Sequence, residues 1–292
     1  MKLPEFQYFA PKSIEEACAL LARYGEEASA LAGGTDLLVK MKQRRFVPGY
    51  VVNLKTIPGL DYIKYDERDG LRMGALTTIQ AIKNSVTVKR NFKVLNEAAG
   101  VESSVQIRNR ATIAGNIANA SPAADAPLAL LTLDAGVVIA RPDGQREVPL
   151  EEFLTGPGKT ILRVGEMIRE IHVPRLAPGT GGAYLKHAVR RTDIAIVSAS
   201  AVLTLSKGVC TNARLGLGSV APTAIRAKSA EKILQGQTIT DEIVKRAAET
   251  AVDEARPVDD IRGYAEYRKE ALRETVEKVI KVAAKDARLG GI

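Results

Sequence analysis

The sequence predicts a mixed helix-and-strand protein of two domains, and three observations carry that expectation. The chain has 292 residues, enough for two ordinary cores without covalent cross-links. Residues 13–54 read as a compact strand–helix–strand unit, and after about residue 60 the texture changes to short strands joined by turns. A Pro- and Gly-dense segment, RLAPGTGG, then separates this half from three long strands followed by helices. The expected domains are 1–176, with subdomains of about 1–54 and 55–176, and 177–292.

The first helix starts at Ser13-Ile-Glu-Glu16, a capping-box pattern, continues through Ala17, Leu20, Leu21 and Tyr24, and stops at Gly25. A short strand, SALAG, runs into two glycines; the helical TDLLVKMKQ and the strand GYVVNL follow. LRMGAL (71–76) is a strand, and AGVVIARPDGQREVPL (135–150) is a hairpin that turns at Pro142-Asp143-Gly144. Helices are expected at TIQAIKNS, VLNEAAG and APLALLTLDA, and a strand at EMIREIHVP (166–174). The second half offers strands GAYLKHAV, AIVSASAVLTLS and ARLGLGSV, then helices around 226–235 and 240–255. In the last helix Tyr267, Leu272, Val276, Val279, Ile280 and Ala283 form an apolar stripe suited to a core or a subunit interface.

Composition narrows the function. With 46% apolar and 26% charged residues the chain has a folding composition. No apolar run reaches the ~18 residues of a membrane span, and MKLPEFQYFAPKS lacks the apolar core of a signal peptide, so a cytoplasmic location is expected. The net charge of +8 is spread among 42 basic and 34 acidic residues; only KMKQRR (40–45) and RNR (108–110) are dense, and there is no Trp. That pattern argues against nucleic acid and suits an anionic cofactor or an acidic partner. KMKQRR itself reads as a solvated helix end, facing a partner subunit. Cys18 and Cys210 are too few for a four-thiolate cluster or a closed zinc site, so any iron–sulfur cluster belongs to another chain. His172 and His187, the only histidines, lie in strand-like runs and make no histidine-rich site.

Two segments stand out. AGGTD (32–36) has adjacent glycines, whose freedom lets backbone N–H groups approach a ligand. QIRNRATIAGNIANASPAADAPLALL (106–131) crowds Thr112, Asn116, Asn119 and Ser121 around Gly115, with Asp125 in an apolar setting. Small donors suit a pyrophosphate, and amides with a carboxylate suit sugar hydroxyls; the same residues also suit an ordinary Asn/Ser turn. Neither a P-loop nor a GxGxxG after a strand is present.

Together, LAGGTDLL (31–38) and ATIAGNIANASPAADAP (111–127) resemble the paired FAD-binding motifs of the flavoprotein, or medium, subunits of molybdenum hydroxylases, the family of xanthine dehydrogenase and carbon monoxide dehydrogenase. GPGKTIL (156–162), GEMIREIHVP (165–174), LKHAVRRTDIAIVSAS (185–200), ARLGLGSVAPTAIRA (213–227) and RGYAEYRKEALRETVEKVI (262–280) extend the resemblance over essentially the whole chain. It implies an α+β fold: a two-subdomain FAD-binding domain of vanillyl-alcohol-oxidase (PCMH) type, then a domain with a three-stranded antiparallel sheet and helices.

The resemblance also implies site residues. FAD would contact Ala30, Leu31, Ala32, Gly33, Gly34, Thr35, Asp36 and Leu37, and Thr112, Ile113, Ala114, Gly115 and Asn116, with Ala32 to Asp36 and Thr112 to Asn116 at the diphosphate. Asn119, Ser121 and Asp125 would serve the cofactor further along, Ser121 and Asp125 at the sugar or ribityl hydroxyls. Ile168 would be an apolar flavin contact, Lys186 a lysine near the flavin, and Ile194 a residue near its open face. Taken without the motif, Lys186 is equally a solvated strand lysine and Asp125 a helix cap. Residues 102–105, ESSV, depart from relatives that carry a Gly or aromatic there, which bears on one flavin face.

The implied function is electron transfer by FAD, from a 2Fe–2S small subunit that serves a molybdenum-cofactor large subunit, to an acceptor such as NAD, in a dimer of heterotrimers. No catalytic side chain and no metal site of its own are expected. The alternatives are a stand-alone FAD oxidoreductase acting directly on a small substrate, and a non-catalytic basic interaction module.

Overall fold

Ser13 opens the first helix in the expected way: its hydroxyl accepts from the Glu16 N–H at 3.1 Å, while the Glu16 carboxylate accepts from the Lys12 N–H at 2.7 Å. In the computed structural model, which describes residues 2–291, this helix spans Ile14–Tyr24, buries Ala17, Cys18 and Leu21, and ends at Gly25 with φ +57°. It packs on a parallel sheet in the order Gln7–Phe9, Tyr50–Asn53, Ala28–Leu31. The helix Leu37–Lys42 makes the crossover between the last two in sequence, a small βαβ unit. Its core is closed by Ala140 and Met167 of the next sheet, so the first subdomain is finished by the second.

That second sheet is antiparallel, ordered Ile63–Asp66, Gly70–Gly74, Met167–Val173, Gly136–Arg141, Gly144–Pro149. The hairpin turns at Pro142-Asp143, where Arg141 pairs with Gly144. Short helices between Ile79 and Thr132 bury Leu95, Ile113, Ile117 and Leu128 against Leu71, Met73, Ile139 and Ile171.

The C-terminal sheet has the expected long antiparallel strands, Thr180–His187, Val197–Ser206 and Val209–Gly218, with a two-residue strand Ile225–Arg226 added at the edge. Alternation splits the first strand between two jobs. Gly181 and Ala183 face the terminal helix Ala265–Arg288, so closely that a Cβ on Gly181 would lie 2.1 Å from the Ala287 nitrogen. Gly182, Tyr184 and Lys186 face the other way, into the helices of the first half: Tyr184 belongs to their core, and its N–H donates to Glu97 Oε2 at 2.9 Å. The terminal helix buries Leu272, Val276, Val279, Ile280 and Ala283 as its spacing predicts. Tyr267, read as part of that stripe, is instead 45% exposed and its hydroxyl pairs with His187 Nε2 at 2.8 Å, because the stripe begins a turn later.

Candidate functional site

Gly33 and Gly34 form the loop between the strand Ala28–Leu31 and the helix Leu37–Lys42. A Cβ on Gly33 would fall 2.0 Å from the Arg110 carbonyl oxygen, and Gly34 has φ +78°. The first glycine is thus required by the second segment, which lies directly against it. Gly33, Gly34, Thr35 and Asp36 donate their N–H groups to no protein acceptor among the described residues. Such successive free amides form a concavity for an anion.

Thr112 caps the short helix Ile113–Ala118, its hydroxyl accepting from the Gly115 N–H at 3.2 Å. A Cβ on Gly115 would come 2.9 Å from Thr112 Oγ1 and 4.0 Å from the Ala32 Cβ, so the two glycine segments face each other there. Asn119 ties them together. Lys40 Nζ donates to its Oδ1 at 2.7 Å, and its Nδ2 donates to Asp36 Oδ1 at 3.1 Å. Burial raises the Asp36 carboxyl above its ordinary value, with Lys40 opposing the shift.

Between the segments lies a cavity of about 890 Å³, at the upper end of the ~300–1,000 Å³ typical of ligand sites. It is lined by Ala30, Ala32, Gly33, Gly34, Thr35, Asp36, Leu37, Thr112, Gly115, Asn116, Asn119, Ser121 and Asp125, all singled out from the sequence, and by Ile194. The remaining sequence candidates do not reach it. Leu31 ends its strand behind the loop, and Ile113, Ala114 and Ile168 are buried in the core beneath. Lys186 also lies outside the lining. Its ammonium donates to Asp125 Oδ2 at 3.0 Å and to the Val101 carbonyl at 2.7 Å, with its side chain only 4% exposed. The solvated-lysine reading therefore fails, and so does the helix-cap reading of Asp125, which makes no side-chain cap. Asp125 instead accepts from Lys186 and, at 2.5 Å, from the Tyr184 hydroxyl. Burial raises its carboxyl and the lysine pulls it back.

Glu102 and Ser103, from the ESSV stretch expected to bear on one flavin face, also line the cavity, and sequence reasoning missed Lys40, Arg45 and Phe46 at the basic run, Ile107 of the helix Val105–Arg108, and Thr192 and Asp193 beside Ile194. KMKQRR does end a surface helix, but Lys40 and Arg45 bring positive charge to the cavity. The signal was present: Lys40 is one helical turn from Asp36. Ser103 holds a left-handed φ of +47°, the region that favours glycine.

Two glycine loops closing on one long, cation-rimmed cavity define a protein that binds a dinucleotide-type cofactor. Residues 4–176 match the family described as FAD binding domain in molybdopterin dehydrogenase, and residues 183–283 the CO dehydrogenase flavoprotein C-terminal domain. The chain is 37% identical over 289 residues to the 6-hydroxypseudooxynicotine dehydrogenase complex subunit alpha of Paenarthrobacter nicotinovorans, covering 99% of this chain and 97% of that one. It is 36% identical to the carbon monoxide dehydrogenase medium chain of Hydrogenophaga pseudoflava, covering 96% and 97%. A solved structure of carbon monoxide dehydrogenase from that organism superposes with a TM-score of 0.94 at 37% identity, covering 97% of this chain and 98% of that chain. The chain belongs to the FAD-binding flavoprotein subunits of the molybdopterin dehydrogenases, the family its two motifs resemble.

FAD is the cofactor of this family's domain, and the residues present fit it. The free amides and the absent side chains of Gly33, Gly34 and Gly115 leave room for a diphosphate. Asn116 Oδ1 and Glu102 Oε2 are buried polar atoms without a hydrogen-bond partner in the protein. Unpartnered buried groups of this kind are costly unless a ligand satisfies them.

Proposed function

We propose that this chain is the electron-transfer subunit that holds FAD in a molybdenum hydroxylase complex, beside a molybdenum-cofactor large subunit and a 2Fe–2S small subunit. When bound, FAD supplies the junction between one-electron iron–sulfur carriers and a two-electron acceptor such as NAD. The observation that carries this reading is the closure of the two glycine segments on one cavity, with the Gly33 position pressed against Arg110 and Gly115 facing Ala32.

In this reading the amides from Gly33 to Asp36 and the hydroxyl-capped turn at Thr112 hold the diphosphate, with Lys40 and Arg45 supplying countercharge. Asn119 fixes the spacing of the two loops through its bonds to Asp36 and Lys40. Ser121 and Asp125 face the sugar hydroxyls. Ile194, Ile107 and Phe46 supply apolar wall, and Leu31, Ile113, Ala114 and Ile168 support the loops from the core. Lys186 acts on the site through Asp125, whose charge it balances. The assembly is a dimer of heterotrimers in the cytoplasm, and the substrate is handled on the large subunit.

The test is direct. The purified chain, or the complex it brings with it, is examined for bound flavin by its visible spectrum, for co-purifying subunits, and for reduction of NAD by the assembled complex. FAD absorption with a large and a small partner is expected. A colourless chain that takes up no added FAD would refute the assignment.

A further inference from the structure

Glu102 is a buried acid in the cavity wall to which the roles above give no work. It follows directly on the helix Lys93–Val101, lines the cavity and is 8% exposed. Asn116 Nδ2 donates to its Oε1 at 2.9 Å, while Oε2 and the neighbouring Asn116 Oδ1 are buried without hydrogen-bond partners. Among the described residues no lysine or arginine forms an ion pair with it. Lys186 is held by Asp125 at 3.0 Å, and the Tyr184 hydroxyl is likewise given to Asp125. The Arg108 guanidinium is spent on Gln80 and on the Glu102 and Ser103 carbonyls, and Arg191 on the Gly100 carbonyl. Asp125 and Asp36 face Glu102 with like charge, against which the Ala126 N–H, the shared Lys186 and the Asn116 amide favour its ionised form.

Two buried carboxyls therefore have one ammonium between them, and a second unpaired charge there would be expensive. We propose that Glu102 keeps its proton at neutral pH and meets the bound FAD as a neutral hydrogen-bond donor, making it a residue that sets the pH range over which the cofactor is held. This rests on the FAD reading of the site. Burial first, and then the charge of Asp125, push the Glu102 carboxyl up to about 8, consistent with that role. A donor suits a flavin or ribityl acceptor, whereas an ionised Glu102 would set a new negative charge beside an anionic cofactor.

The experiment measures FAD affinity of the full-length chain, stripped of flavin, between pH 6 and pH 9.5, alongside the infrared carbonyl band of protonated carboxyl groups. For the native chain, affinity is expected to be flat to about pH 7.5 and then to fall, approaching ~10-fold per pH unit above the Glu102 titration. Glu102→Gln, which donates at every pH, loses that dependence; Glu102→Leu, which cannot donate, binds FAD roughly 5–10-fold more weakly at pH 7. A protonated-carboxyl band at pH 7 that disappears by pH 9.5 and is missing from Glu102→Gln locates the proton. Native affinity flat across the range, the same decline in Glu102→Gln, or no such band at pH 7 would overturn the inference. A chain that binds FAD at no pH overturns the cofactor reading and the donor role with it, while the infrared band still reports the proton separately.

Discussion

At Gly33 the chain has no room for a side chain, because the Arg110 carbonyl oxygen occupies the place of its Cβ. Gly33→Ala is therefore expected to push the two segments apart and lower both stability and FAD retention, seen as a reduced melting temperature and a flavin-poor chain. Gly115→Val acts differently. Its side chain displaces the capping Thr112 hydroxyl and enters the gap toward Ala32, so FAD affinity is expected to drop by more than ~10-fold at a modest cost in stability, with circular dichroism reporting whether the fold is kept. Glu102 makes a pH-dependent prediction without any cofactor. Its folded value, about 8, lies above the ordinary 4.5, so the folded chain keeps a proton the unfolded chain releases. The resulting cost is absent below about pH 4, grows as pH rises toward 8 and is constant above. Glu102→Gln should accordingly unfold at clearly higher denaturant than the native chain at pH 8, and at an equal concentration at pH 4. The glycine motifs were legible because backbone freedom is a local property. The condition of Glu102 was not, since it depends on Asn116, Asp125 and Lys186 brought in from three other elements.

Among the elements, the terminal helix Ala265–Arg288 shows where patterning stops being informative. Its apolar stripe was readable from Leu272 to Ala283, yet the largest side chain it buries is Arg268, 1% exposed. That guanidinium donates to the Ser219 carbonyl at 3.2 Å and to Asp260, partners that no helical periodicity reveals. Arg262 first, and then Arg268, hold the Asp260 carboxyl well below the usual carboxylate range despite partial burial. Asp260→Ala leaves a buried cation unpaired and should cost about 3–5 kcal/mol in denaturant unfolding. Lys281→Ala, which breaks the exposed pair with Asp241, should leave denaturant unfolding nearly unchanged. Because the Asp260 value is depressed, its contribution is complete above the unfolded carboxylate range and declines as pH falls through the acid range.

For the molecule as a whole, the cavity is finished by contacts between the two halves of the chain. Strands and helices were legible in each half from alternation and caps, but the same alternation did not say which neighbour each face would meet. Tyr184 and Lys186 share a face, and that face reaches Asp125 in the other half, behind the cavity wall. Lys186→Met should therefore destabilise the chain by about 3–5 kcal/mol at neutral pH by stranding Asp125, and Lys186→Met with Asp125→Leu should recover much of that loss. The central claim is that the segments at Gly33 and Gly115 form one cofactor clamp. It is tested most directly by titrating FAD into the flavin-free native chain and into Gly115→Val, with circular dichroism as the check on folding. The account predicts one FAD per native chain and greatly weakened binding to a normally folded variant. Equal FAD affinity in the two proteins would contradict it.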